Sequence, residues 1–275
     1  MSDLTYPNFA FDITYNAPDS QARLGLLKTP HGTIETPNFI FCGTKAAIKN
    51  LNPDQMVEAK TDIMLSNTYH LMIQPGADVV EKMGGLHKFM GWDGPMLTDS
   101  GGFQIFSMGH GSVADEIKGR NKGGRGQSLL KITEEGAKFR NYRDGSEMML
   151  TPELSMDIQR KLGADLIMQF DECTAFHVDR DYTESSMHRS HRWGDRSLAH
   201  FAKNDNGAQA IYGIVQGGVY PELRAESCAW TKNSNFFGTA IGGSLGGSKQ
   251  QFYEIVSWCA EQIHQERPVH LLGIG

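Results

Sequence analysis

Residues Gly91–Met108 read GWDGPMLTDSGGFQIFSM, and the fold turns on the reading of Met96 to Gly102 within them. Met96, Leu97 and Thr98 have the apolar and β-branched character of a short buried strand at its end. Asp99 follows at once, then Ser100, Gly101, Gly102 and Phe103. Two successive glycines let the backbone approach a ligand closely or take positive φ without a Cβ clash. A carboxylate at the end of a buried strand, beside an aromatic ring, suits a planar polar ligand. The same letters are also ordinary turn chemistry, with Asp99 capping a helix that begins near Phe103. The rest of the chain has to decide between the two.

Toward the N-terminus, Asp62 to Ser66 (DIMLS) predicts another short buried strand, followed by Asn67, Thr68, Tyr69 and His70. Gln74-Pro75-Gly76 reads as a turn and Ala77 to Met83 as a helix. Before them, Phe39 to Cys42 predicts a strand, and Thr44 to Ala59 a polar helix whose start signal is Asn52-Pro53-Asp54. Met96 to Thr98 therefore opens a third strand-then-helix unit. Toward the C-terminus the rhythm breaks at residues 109–127, GHGSVADEIKGRNKGGRGQ, an inserted glycine-rich loop carrying Lys118, Arg120, Lys122 and Arg125. It reads either as a solvated loop or as a mobile basic flap that meets phosphate.

Regularity returns with a helix over Pro152 to Leu162 and a strand over Ala164 to Phe170, ending in Asp171-Glu172-Cys173-Thr174. A long helix over Tyr182 to Ala202 carries His188, Arg189, His191 and Arg192, which read as a solvated face. Ala210 to Val215 is a strand ending in Gln216-Gly217-Gly218, and Pro221 to Thr231 a helix. Gly238 to Ile241 is a strand ending in Gly242-Gly243-Ser244, and Gln250 to Gln265 a helix. Pro268 to Leu272 is the last strand, ending at Gly273, Ile274 and Gly275.

About seven strands alternating with helices predict a parallel α/β sheet. Asp99, Asp171, Gln216, Gly243 and Gly273 fall at the C-terminal ends of these strands, the catalytic face of a (β/α)8 TIM-type barrel. A doubly wound sheet also binds ligands there, but no GxGxxG follows a strand. The barrel is favoured, one strand short.

Composition narrows the class. At 275 residues, 39% hydrophobic and 21% charged, the chain fits one large α/β domain or two small ones. No apolar run reaches the roughly 18 residues a membrane span needs. The N-terminus MSDLTYPNFAFDITYN lacks the basic start and apolar core of a secretory signal. Cys42, Cys173, Cys228 and Cys259 are widely spaced, form no metal-binding pair and read as reduced thiols, so the expected location is cytoplasmic. A formal charge of -6 argues against general nucleic-acid coating but leaves room for a local basic patch.

The strand ends together supply what a guanine-like base requires. Its N1–H and 2-amino groups need a carboxylate acceptor, which Asp171 or Asp99 provides. Its O6 needs donors, available from the Gln216 amide and the Gly243 backbone N–H, and its faces can stack on Phe103.

TDSGGFQ at 98–104, FDECT at 170–174, VQGGVY at 215–220, AIGGSLGG at 240–247 and VHLLGIG at 269–275 resemble the tRNA-guanine transglycosylases, or queuine tRNA-ribosyltransferases, of bacterial type. SNTYHLMIQPG at 66–76 and MHRSHRW at 187–193 do so too, and the likeness runs from about Asp12 to the last residue. The resemblance implies a modified (β/α)8 barrel and exchange of guanine at the wobble position of GUN-anticodon tRNAs for queuine or a 7-deazaguanine precursor, in queuosine biosynthesis. It implies double displacement through a covalent tRNA–enzyme intermediate, related to the two-carboxylate logic of retaining glycosidases. Asp99 then matches the acid/base aspartate; Ser100, Gly101, Gly102 and Phe103 its substrate loop; Asp171 the reader of N1 and the 2-amino group. Gln216 and Gly243 match the O6 donors, Cys173 and Gly246 line the base pocket, and Gly273, Ile274 and Gly275 fall at an RNA-binding strand end.

The resemblance also implies what the 275 residues omit. The family's nucleophilic aspartate lies on an eighth strand and its zinc ligands, three cysteines and a histidine, lie later still. Neither matches a position here, so the expectation is a single barrel domain truncated after its seventh strand, with no zinc subdomain and no cofactor in this chain. On that expectation the chain alone is inactive. The partners implied are tRNA, a purine-type base and a second subunit in a homodimer or heterodimer, with no membrane. Glycine at 246, where bacterial enzymes usually carry valine, is similar to queuine-using relatives, whereas Cys173 is typical of bacterial pockets. A non-catalytic accessory subunit of the same family is the second reading. An unrelated barrel enzyme acting on a purine or pterin is the third.

Overall fold

The computed structural model describes residues 4–110, 129–176 and 178–273. Three antiparallel strands come first, β1 (Ala10–Asn16), β2 (Arg23–Thr29) and β3 (Gly32–Thr36). The strand-then-helix series then begins: β4 (Phe41–Cys42), α1 (Pro53–Glu58), β5 (Met64–Ser66), α2 (Thr68–Ile73), α3 (Ala77–Lys82), α4 (Gly85–Met90), β6 (Met96–Thr98) and α5 (Gly102–His110). A second antiparallel sheet follows, β7 (Leu129–Ile132), β8 (Ala137–Arg140) and β9 (Glu147–Leu150). The series resumes with α6 (Pro152–Leu162), β10 (Leu166–Met168), α7 (Arg180–Asn204), β11 (Ala210–Val215), α8 (Pro221–Asn233), β12 (Gly238–Ile241), α9 (Lys249–Gln262) and β13 (Val269–Leu271).

Seven strands form one parallel sheet in the order β13-β12-β11-β10-β6-β5-β4. Neighbours in space are neighbours in the strand-then-helix series, the order of a barrel rather than of a doubly wound sheet. The sheet is curled and flanked by helices, a TIM-type barrel open between β13 and β4. β6, β10, β11 and β12 are buried along their whole length, because both faces are covered. Alternate residues divide between those faces. Leu97, Leu166, Met168, Tyr212, Ile214 and Ala240 cluster on one side with Leu27 and Ile34, so the first antiparallel sheet packs against the barrel interior. Ile167 and Ile211 face the other way and pack on Phe201 of α7. Between the open edges an apolar cavity of about 430 Å³ reaches Cys42, Leu65, Leu97, Leu166 and Leu271.

Buried amides tie the helices to the strands. Gln159 of α6 accepts from Thr98 Oγ1 and Met168 N, both at 3.0 Å, and donates to Met168 O at 2.9 Å. It thereby links β6 to β10 from outside the barrel. All four of these groups would otherwise be costly to bury.

Three expectations are corrected. The helix over Thr44 to Ala59 is only α1: Ala46 and Asn50 take positive φ of 56° and 64°. The helix begins at Asn52, where a capping box joins Asn52 and Gln55 through reciprocal 2.9 Å bonds. The strand-then-helix reading omits the two antiparallel sheets; β1 is exposed along most of its length, and the alternation of β8, with Ala137 and Phe139 buried, spans only four residues. The supposed solvated face of α7 is divided. His191 is buried and stacked on Trp230 at 4.3 Å, whereas Arg192 lies at the surface against Glu134. The loop assigned to 109–127 lies outside the described residues from 111 onward, as do Ile274 and Gly275. Among the described residues no helix is long and apolar enough to cross a membrane.

Candidate active site

The polar strand ends converge on two aspartates. Asp99 leaves β6 and is half-buried; its Oδ1 accepts from Thr68 N at 2.8 Å and its Oδ2 from Asn67 Nδ2. The link is returned by Thr68 Oγ1, which donates to Asp99 O at 2.6 Å. Burial pushes the Asp99 carboxyl up to about 6, with the Thr68 and Gly101 backbone N–H groups and the Gln104 side chain opposing that rise.

Asp171 follows β10 and is buried. Its Oδ2 accepts from Gln216 Nε2 at 2.6 Å and its Oδ1 from Ser100 Oγ at 3.3 Å. Burial raises its carboxyl to about 7; the Gln216 and Ser100 bonds oppose the shift, and the nearby Asp99 and Glu172 charges add to it. Two carboxyls poised near neutrality at one set of strand ends can each give or take a proton near neutral pH and accept hydrogen bonds when ionised.

The glycines have specific reasons. Gly101 turns the chain with φ +84°. A Cβ on Gly102 would stand 2.7 Å from Asp171 O, so only glycine lets the β6 loop pass this close to the β10 loop. Gly243 takes φ +72°, and a Cβ there would stand 2.4 Å from Gln216 Oε1. Gln216 itself is pinned by its own N–H to Ser227 Oγ at 2.9 Å. Ser100, Asp171 and Gln216 are joined by hydrogen bonds, and Gly243 lies beside Gln216.

Other predicted residues lie around it. Phe103, in the first turn of α5, keeps 43% of its surface exposed. Cys173 is half-buried against the cluster that contains Phe170 and Trp193. A Cβ on Gly246 would come 2.5 Å from Gln251 Oε1, which accepts the Gly247 N–H at 3.0 Å. Gly273, with φ +69°, follows β13.

Two supports escaped the sequence reading. Asn67 and Thr68 donate to Asp99 from the loop after β5, and the signal was their position at the next strand end. Arg224 of α8 is fully buried. Its guanidinium donates to Gly218 O and Gly242 O at 2.8 Å, Ser244 O at 2.9 Å and Val215 O at 3.1 Å. One side chain thus staples the loops after β11 and β12 that carry Gln216 and Gly243. Its spacing with Ser227, Cys228 and Thr231 marks the buried stripe of α8. Behind Asp171, Glu172 accepts from Tyr182 Oη at 2.6 Å and from Arg189.

The family model described as queuine tRNA-ribosyltransferase matches residues 19–275. A queuine tRNA-ribosyltransferase of Protochlamydia amoebophila is 47% identical over 272 residues, covering 99% of this chain and 70% of that protein. The protein of the same name from Roseiflexus sp. is 48% identical over 276 residues, covering 97% of this chain and 69% of its own length. That of Chlamydia pneumoniae is 45% identical over 265 residues, with 96% and 70% covered. The zinc ligand set of three cysteines and a histidine does not fit the described residues, where the sole group of three or more potential ligands is two histidines and an aspartate.

Proposed function

This chain belongs to the queuine tRNA-ribosyltransferase family, and from that premise we propose that its strand-end site reads the base and moves its proton in a pentosyl exchange of tRNA guanine for a 7-deazaguanine base, ribose C1′ being held between the two bases by an attacking carboxylate that matches no position in these 275 residues. The observation that carries the reading is the Asp171–Gln216 pair. It places a carboxylate acceptor and an amide donor side by side, 2.6 Å apart, each holding the other in the free site. A guanine edge presents the complementary donor and acceptor, so it replaces one internal bond with bonds to both partners.

In this reading Asp171 takes N1–H and the 2-amino group, while Gln216 Nε2 and the Gly243 N–H donate to O6. Phe103 offers an exposed aromatic face to a base that has left the anticodon stack. Asp99, titrating near 6, gives a proton to the departing guanine and takes one from the incoming base. The target is the wobble guanine of GUN anticodons. Queuine and its smaller precursors are distinguished next to Gly246, where added bulk would first displace Gln251.

Calorimetric titration with guanine tests the site apart from transfer. Saturable binding is expected, stronger at pH 8 than at pH 6 because the ionised Asp171 is the acceptor, and lost in Asp171→Asn. Undiminished binding by that variant sinks the assignment. Transfer is read as incorporation of labelled guanine into a GUN-anticodon tRNA, compared with the same tRNA carrying adenine at the wobble position. Equal labelling of the two above background would remove the wobble guanine as target, whereas no labelling of either is the result expected without the attacking carboxylate.

A further inference from the structure

Asp171 lies between β10 and α7 in a stretch without helix or strand among the described residues, so its aim has to be fixed from outside that stretch. The residue after it, Glu172, is tied to α7 through backbone and side chain alike. Its N–H donates to Ser190 Oγ at 2.9 Å, and its carbonyl accepts from Ser186 Oγ at 3.3 Å. Its carboxylate accepts from Tyr182 Oη at 2.6 Å through Oε1 and from Arg189 through Oε2. Tyr182, Ser186, Arg189 and Ser190 follow one another at helical spacing, so they make one stripe of α7.

That tie explains a fixed backbone but not a charge. Glu172 is 2% exposed, and a carboxylate is costly to bury even when paired. Glutamine would fill the same volume and still accept from Tyr182 or Arg189, with no ion to balance. The cation is also shared, because Arg189 Nε lies 3.5 Å from Glu134 Oε1 in the turn between β7 and β8. What the Glu172 charge does reach is Asp171. Burial is the largest cause of the rise in the Asp171 carboxyl; Gln216 and Ser100 oppose it, and the Asp99 and Glu172 charges add to it. Asp99 comes from the loop after β6 and Glu172 from the loop of Asp171 itself, while Tyr182, Arg189 and Glu134 stand behind Glu172.

We propose that Glu172 is the positioning residue of the base site: tied to α7, it aims the Asp171 carboxyl, and its charge keeps that carboxyl from holding a base too firmly for exchange. The inference rests on the reading of Asp171 as acceptor for the guanine edge. Glu172 acts through Asp171, since its own oxygens are taken by Tyr182 and Arg189. An exchange site has to release guanine and admit a second base. An acceptor whose charge is opposed by a neighbour suits that task better than one that binds its ground state tightly.

The test is calorimetric titration of guanine into the parent, Glu172→Gln and Glu172→Asp at pH 6 and pH 8, with thermal melts of each. The parent should bind about tenfold more tightly at pH 8, as a carboxyl titrating at about 7 requires. Glu172→Gln, with the shape kept and the charge removed, should bind more tightly at pH 6 and lower that ratio at least about twofold. Glu172→Asp, with the charge kept and the reach shortened, should hold the ratio at about ten while losing at least about threefold in affinity at both pH values. A ratio in Glu172→Gln equal to that of the parent would overturn the inference, as would an equal fall in Glu172→Asp. Parent affinity in Glu172→Asp would remove the aiming role. A merely structural tie would lower Tm and affinity together in both variants and leave the ratio alone. Absence of guanine binding by the parent, or undiminished binding by Asp171→Asn, would instead bring down the base-site reading and this inference with it.

Discussion

The two ends of one sheet hold buried aspartates in opposite states. Burial works to raise the Asp165 carboxyl at the N-terminal end, yet bonds from His87, His31 and the Met96 N–H outweigh it and hold it below the ordinary range. At the C-terminal end burial wins, leaving Asp99 near 6 and Asp171 near 7. The number of donors does not explain the contrast, since Asp99 accepts from Asn67 and Thr68 and is helped by Gly101 and Gln104. Their kind does: amides and hydroxyls serve Asp99 and Asp171, while imidazoles able to carry charge serve Asp165. Asp171 also has carboxylate neighbours, Asp99 and Glu172. One end is closed by its own partners and serves stability. The other retains acceptor capacity for a ligand, the usual division of labour in a barrel of this type.

The sharpest way to break that comparison is to neutralise each end. Asp171→Asn should weaken guanine binding about 10²–10³-fold, since two hydrogen bonds to a charged acceptor are lost. Titration calorimetry at pH 8 reads this, and a loss below tenfold would mean that Asp171 does not face the base. Asp165→Ala should leave guanine affinity unchanged while costing about 3 kcal/mol of stability, because His31, His87 and the Met96 N–H lose their acceptor. Denaturant melts check the second half. A variant as stable as the parent would show that the N-terminal cluster contributes nothing to the fold.

Those two aspartates were unequally legible. Asp171 was readable because it follows the largely apolar stretch Ala164 to Phe170, at a position where other strands also end in polar or glycine residues. The helix before it was just as clear, with Thr151 capping α6 and Gly163 closing it at φ +73°. Strands β6, β11 and β12 fall within the residues their apolar runs predict. Asp165 gave no such signal: its partners lie 134 and 78 residues away in sequence, and only the closed fold brings them together. Arg224 was obscured for a related reason. A buried arginine answered by four backbone carbonyls has no carboxylate in the sequence to betray it. The strands of the two antiparallel sheets are short or exposed on one face, and the alternation of β8 over four residues is too brief to stand out beside the continuous apolar runs of the barrel.

The opposed shifts also predict opposed pH dependences of stability. A raised carboxyl such as Asp171 contributes stability that is fully present below its unfolded pKa, about 3.8, and lost as pH rises through about 7. Asp171→Asn should therefore melt higher than the parent at pH 8, by a margin that shrinks toward pH 5. Asp165 works the other way, its contribution being present above the unfolded pKa and lost as pH falls through its lower folded value. Thermal melts of parent and Asp171→Asn across this range sharpen the comparison. A difference in Tm independent of pH would mean that the Asp171 carboxyl is not raised in the folded chain.

The smallest expected effect concerns the rim of the C-terminal end. Phe103 stands in the first turn of α5 with 43% of its surface exposed, directly after the glycines that bring the loop against Asp171. Removing an exposed ring costs the folded chain little. A base stacked on it would lose about 1–3 kcal/mol when the ring is truncated. Phe103→Ala should thus weaken guanine binding by roughly tenfold at unchanged Tm, while Phe103→Tyr, which keeps the stacking face, should bind as the parent does. A parallel fall in Tm would assign the ring to packing, and unchanged affinity in the alanine variant would place the base away from α5. Either result would confine the recognition end of the barrel to Ser100, Asp171, Gln216 and Gly243.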